Sequence, residues 1–318
     1  DEQVMPEIAA LPWEVMCVPG SVSSGEIWIA TAPNLVFSRR RAQWHSAPPI
    51  QLQQGEKLRI ALAIAAPQDL ATFEYETVQT ALQELAKSQP EHIELLPIVN
   101  PATPTAIDDL LEQQPHIFHF IGHGRLQSED GENVGETALV KKIFNQEKAN
   151  WVDASFFGGL FNRHRPGIVF LQACEGGMLS ESEAFVGVAS KIVQQNIPVV
   201  VAMQYEVSNI TASQFAYEFY ERLAQDKPVD VAAQNARRNI ALDTQYRKRD
   251  FATPVIFMRV QDGYLFEHQN TKELKNSSES SNESTENCNT PTVKITWQNG
   301  KSITISCSAS FLMICDDY

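Results

Sequence analysis

Leu58-Arg59-Ile60-Ala61-Leu62-Ala63-Ile64-Ala65-Ala66 runs for nine residues with one polar side chain. A strand with one wet face alternates apolar and polar residues, so a run this apolar predicts a strand covered on both faces, as in a parallel sheet between helices. Runs of the same kind follow at Ile93–Val99, Ile117–Ile121, Ile168–Ala173, Pro198–Met203 and Pro254–Val260. Between them, helical spacing predicts helices over Phe73–Lys87, Ala106–Gln114, Val152–Phe161, Glu183–Gln195, Ser208–Ala224 and Val229–Leu242, with Ser208 as a cap. Alternating β and α units predict an α/β sandwich of three layers, a mostly parallel sheet with helices on both faces. In such sheets chemistry collects beyond the carboxyl ends of the strands, which directs attention to the loops after Ile121 and Ala173.

Those loops read Gly122-His123-Gly124 and Cys174-Glu175-Gly176-Gly177. A thiol and an imidazole at neighbouring strand ends are the requirements of nucleophilic catalysis: the thiolate attacks, and the imidazole takes the thiol proton and returns it to the leaving amine. Glycines beside them let backbone N–H groups approach a substrate carbonyl. Either residue alone reads as ordinary, a small buried thiol or a histidine satisfied in a loop. Together, 51 positions apart and flanked by glycine, they read as a site.

Gln172-Ala173-Cys174-Glu175-Gly176 resembles the caspase nucleophile signature, whose histidine lies about 50 residues upstream, although Glu175 departs from the residues usual at that place. With Leu11-Pro12-Trp13-Glu14, Phe118–Gly124, Val169–Gly177, Ile197–Gln204, Phe215–Pro228, Ala232–Ile240 and Pro254–Arg259, roughly residues 10–262 are similar to the CHAT family, caspase-like peptidase domains associated with helical repeats. The resemblance implies a caspase-like fold, a Cys174/His123 dyad and an oxyanion hole from the amides of Gly124 and Cys174. It also implies a protein or peptide substrate, control by a sensor or helical-repeat partner, and a defence or cell-death setting. By analogy with the clan, Asp69, Gln172, Gln204, Tyr205 and Glu206 are substrate-binding positions. Asp-specific caspases place Arg where Asp69 and Glu206 stand, so a basic P1 residue is expected over an acidic one. The plainer reading of Asp69 is a cap for a helix beginning near Thr72. The rival to a peptidase is a catalytically silent scaffold that binds a partner through its sheet edge and cleft.

The rest of the sequence excludes more than it adds. The formal charge is −14, from 25 Lys plus Arg against 39 Asp plus Glu, which opposes nucleic-acid binding. No apolar run reaches the roughly 18–20 residues of a membrane span, no leader is visible, and five unevenly spaced cysteines point to a reducing, cytoplasmic setting. No cofactor is expected: P-loop, dinucleotide and GxSxG motifs are missing. His116, His119 and His123 resemble a metal cluster, but along a strand the last two stand about 13 Å apart. Arg39-Arg40-Arg41 and Arg247-Lys248-Arg249 read as solvated faces or as exposed processing sites for a protease of basic specificity, and Arg125–Asn150 as a lid, maturation site or surface excursion. Val199–Gln204 is expected to offer a free edge to a substrate strand. Four segments result: a β-rich extension (1–56), the catalytic domain (57–266), a flexible polar linker (267–290) and a β-hairpin tail (291–318) turning at Asn299-Gly300.

Overall fold

The computed structural model describes residues 11–20, 26–40, 46–129, 132–173, 179–205, 208–268, 292–296, 302–308 and 311–315. The apolar runs form one six-stranded sheet. Its strands are β1 (Leu58–Ile64), β2 (Ile93–Leu95), β3 (Ile117–Gly122), β7 (Ile168–Ala173), β8 (Val199–Met203) and β9 (Pro254–Met258), in the order β9-β8-β7-β3-β1-β2. All neighbours are parallel except β8 and β9. Alternate side chains feed two cores, which is why the runs are so nearly apolar. Leu58, Ile60, Leu62, Ile121, Phe170 and Val201 pack against α1 (Glu76–Ser88), α5 (Asn209–Ala224) and α6 (Val229–Asp243). Ala61, Ala63, Phe118, Phe120, Val169 and Leu171 face α2 (Pro104–Leu111), α3 (Ala154–Gly159) and α4 (Leu179–Gln194). The three-layer α/β sandwich is therefore present, and Ser208 caps α5 by accepting from the Thr211 amide at 3.2 Å.

Four expectations need correction. The stretch between the two suspected loops is neither lid nor excursion. It is a three-stranded antiparallel sheet of β4 (Gly124–Glu129), β5 (Glu132–Ile143) and β6 (Gln146–Asp153). Ala138-Leu139-Val140 on β5 are fully buried, and Arg125 lies opposite Glu136 and over the Trp151 ring at 4.3 Å. Second, β8 is no edge, because β9 pairs along it. Third, Arg39 is not a solvated residue: its backbone bonds Ile256 and Met258 of β9, and its guanidinium meets Glu14. Fourth, α1 begins at Glu76, not near Phe73; ahead of it Gln68 and Asp69 bond β6 and the Ala71 carbonyl bonds His123.

The tail pairs Thr292–Thr296 with Ser302–Ser308 as a hairpin, and a third strand, Phe311–Cys315, adds to it and runs parallel to Phe37–Ser38. The Asn299-Gly300 turn and residues 269–290 of the expected linker lie outside the described residues.

The β4–β6 sheet is seated on α4 at Gly135, where an added Cβ would fall 2.5 Å from the Ala184 carbonyl oxygen. Gly135→Ala is expected to cost about 1–3 kcal/mol of overpacking, read as a lower urea midpoint with an unchanged slope.

Candidate active site

Strands β3 and β7 end together, with Gly122 and Ala173 as the last pair of their register. His123 and Cys174 are the next residues of each strand in sequence; Cys174 lies outside the described residues. Gly122 leaves no room for a side chain, since a Cβ would sit 2.8 Å from the buried Phe120 ring.

His123 is 5% exposed and donates from Nε2 to the Ala71 carbonyl at 2.9 Å. A carbonyl oxygen only accepts, so the hydrogen is on Nε2 and Nδ1 is the basic nitrogen. The ring meets Phe73 edge-on with centroids 5.2 Å apart. The carrier of that acceptor is itself tied down by β6. Gln68 N donates to the Glu147 carbonyl at 2.8 Å and Ala149 N to the Asp69 carboxylate at 2.7 Å. Ala138 N on β5 donates to the His123 carbonyl at 2.9 Å. The small sheet thus braces the histidine from two sides. Gly124 is buried and opens β4 opposite Thr137.

The predicted pocket positions fare differently. Asp69 is exposed and bonds Ala149, so it does not cap α1. Gln172 is fully buried and reads inward: its Oε1 accepts from His119 Nε2 at 3.1 Å, while His119 Nδ1 accepts from the Tyr220 hydroxyl at 3.1 Å. Phe170 stacks on that imidazole at 4.3 Å. The Gln172 amide nitrogen finds no partner among the described residues. Gln204 is buried, with its Oε1 accepting from Arg39 and its Nε2 donating to Glu14 and to the Ala252 carbonyl. Tyr205 is half-buried, its hydroxyl pKa pushed up by burial and by the charge of Glu14. Glu206 lies outside the described residues.

The three histidines part company. His116 accepts from the Arg59 amide at 3.0 Å, His119 joins Gln172 and Tyr220, and His123 joins Ala71. Among the described residues, no group of three or more His, Cys, Asp or Glu is placed to hold a metal ion. There too, no helix is long and apolar enough to cross a membrane. The supports that the sequence does not announce are the Ala71 carbonyl, Phe73, Glu14 and Tyr220. For Ala71 and Phe73 no local signal exists; Glu14 and Tyr220 lie in motif segments but show no chemistry by themselves.

Residues 4–289 match the CHAT domain. The chain belongs to the CHAT domain family. The CHAT chain finds no match among curated proteins. Among solved structures it is similar to separase in the Saccharomyces cerevisiae separase–securin complex, at 15% identity and a TM-score of 0.38 over 70% of this chain and 13% of that one. It is also similar to the Arg-specific cysteine proteinase gingipain R, at 15% identity and a TM-score of 0.36 over 65% of this chain and 46% of that one. The complex of the Porphyromonas gingivalis RgpB pro- and mature domains matches at 14% identity and a TM-score of 0.37, over 64% and 48% of the two chains. The CHAT chain therefore spans about an eighth to a half of the length of these structures.

Burial holds His119, and burial with the neighbouring Arg59 charge holds His116, at a pKa of about 4, below the usual 6.5. Below pH about 6.5 the unfolded chain protonates these imidazoles while the native one does not until about pH 4. The unfolded state then binds more protons, so stability falls as pH drops through that window. Urea midpoints measured between pH 7 and 4 are expected to show this decline, and His119→Gln is expected to flatten it. Tyr220→Phe leaves the His119 acceptor unpaired and is expected to lower stability by about 1–3 kcal/mol at neutral pH.

Proposed function

We propose that this chain is a cysteine endopeptidase acting through Cys174 and His123. The observation that carries the reading is the held imidazole: His123 is oriented by the Ala71 carbonyl at the end of β3, in register with the strand that runs into Cys174. Cys174 directly follows the paired Ala173 in sequence, as His123 follows Gly122. In this reading the thiol proton passes to Nδ1 of His123 and the thiolate attacks the scissile carbonyl. The amides of Gly124 and Cys174 donate to the oxyanion. The imidazolium, its Nε2–H held by Ala71, then protonates the leaving amine, and water hydrolyses the thioester.

The substrate is a protein or peptide, with a basic residue preferred at P1. Asp69 supports this, because its exposed carboxylate lies two residues from Ala71. Arg39 does not supply the counter-charge an acidic P1 would need, since Glu14 already holds its guanidinium. Control by a sensor or helical-repeat partner, and a defence or cell-death role, rest on the family alone.

The test is a random peptide pool incubated with the wild type, Cys174→Ala and His123→Ala, with new termini read by mass spectrometry. Cuts after Lys or Arg are expected from the wild type and not from Cys174→Ala, with His123→Ala slower than the wild type by about 10²–10⁴. Asp69→Asn is expected to reduce cutting after basic residues most. Iodoacetamide labelling of Cys174 at neutral pH separates the silent scaffold. A rate no faster than an ordinary thiol and indifferent to His123→Ala, with no cuts, would overturn the peptidase reading.

A further inference from the structure

The least expected side chain in the structure is Glu14, in the single turn Trp13–Val15 of the β-rich extension, which is fully buried. A buried carboxylate survives only with partners, and those of Glu14 come from three distant segments. Arg39 donates from Nε at 3.0 Å and from Nη2 at 2.5 Å, the two-pronged arrangement that fixes geometry as well as charge. Gln204 donates from Nε2 at 2.9 Å, and Arg237 Nη2 lies 4.0 Å away. Arg237 is itself fully buried and spends its other donors on the carbonyls of Pro254 and Phe37.

What this cluster holds is the start of the loop after β8. Leu171 pairs with Ala202, so Gln204 stands two residues further on, at the same carboxyl edge of the sheet as Ala173 and Gly122. Its carboxamide is used completely: Oε1 takes Arg39 Nη2 at 3.2 Å, and Nε2 reaches both Glu14 and the Ala252 carbonyl. Its backbone N–H donates to Thr253. Tyr205 follows, close enough to Glu14 for that charge to act on its hydroxyl. A buried ion pair often stabilises a fold no better than apolar side chains of the same volume. What it supplies that they do not is one orientation, and here the group oriented is Gln204.

We propose that Glu14 and Arg39 are positioning residues: they hold Gln204 and Tyr205, the two residues that follow β8, in the form that receives a peptide substrate, so the N-terminal segment acts as a strut for substrate capture. The proposal rests on the peptidase reading and adds to it that capture and chemistry have separate supports. His123 hangs on Ala71 and the β4–β6 sheet, and Gln204 hangs on Glu14 and Arg39. Loosening the strut weakens substrate binding and leaves the Cys174–His123 pair as it was.

Two variants of the full chain test this. Glu14→Gln keeps the volume and removes the charge; Arg39→Lys keeps a charge and removes the two-pronged bond, and stands in if Glu14→Gln fails to fold in a thermal melt. Cys174 modification is timed with iodoacetamide, which needs no peptide groove, and with a peptidyl acyloxymethyl ketone carrying the P1 residue found in the peptide pool. The expected result is a loss of at least tenfold with the peptidyl reagent and less than twofold with iodoacetamide, matched by a raised KM at a nearly constant kcat. Amide hydrogen exchange is read alongside, with at least tenfold faster exchange expected at Gln204 and Tyr205 and none at Ile117–Gly122. Equal losses with both reagents in a folded variant, or no loss with either, would overturn the proposal. So would unchanged exchange at Gln204 and Tyr205, a result that stands whether or not the chain is a peptidase. A wild type with no His123-dependent thiol reactivity would instead sink the peptidase reading.

Discussion

Strands β1, β3, β7 and β8 lie between two layers of helices, and water reaches neither of their faces. A polar side chain on such a strand must find a partner inside or stand beyond the strand's end. His119 and Gln172 take the first course, each answering the other across the β3–β7 pair with Tyr220 closing the set. His123 takes the second. The same constraint explains both why the sheet is so easily recognised and why its chemistry is confined to one edge.

Much of this is legible in the chain because it is local. A run such as Leu58–Ala66 carries its own burial in its composition, and Ser208 sits where a helix needs a cap. The loop His123 occupies was marked by its place after an apolar strand and by its two glycines. What could not be read are relations between distant residues. Arg39 looks solvated beside Arg40 and Arg41, and only the return of Glu14 from 25 residues upstream makes it an interior group. Residues 125–150 hid a sheet because Ala138, Leu139 and Val140 are buried in succession, so the period of two is lost where it would have been most telling. Gln204 and Gln172 stand out by position, while the groups that bond Gln204 and the Gln172 Oε1 have no signature near them.

The extension and the small sheet do comparable work from opposite sides. The β4–β6 sheet reaches the Gln68–Ala71 loop through Glu147 and Ala149, and the extension reaches the end of β8 through Glu14. Neither belongs to the six-stranded sheet, yet each holds a segment at its carboxyl edge. The central sheet supplies the address, and the two appendages supply the orientation of what stands there.

The acceptor that aligns His123 is a main-chain atom, and this shapes how the protein can drift over time. Any amino acid at position 71 still offers a carbonyl, so substitutions there leave the alignment in place. The length of the connection is another matter. Between Ile64 at the end of β1 and Ala71, the insertion or deletion of one residue would move the carbonyl by a peptide step, about 3.8 Å, and out of reach of Nε2. Sequence at this point is free to vary while spacing is not, and a tally of residue identities would overlook the group that matters.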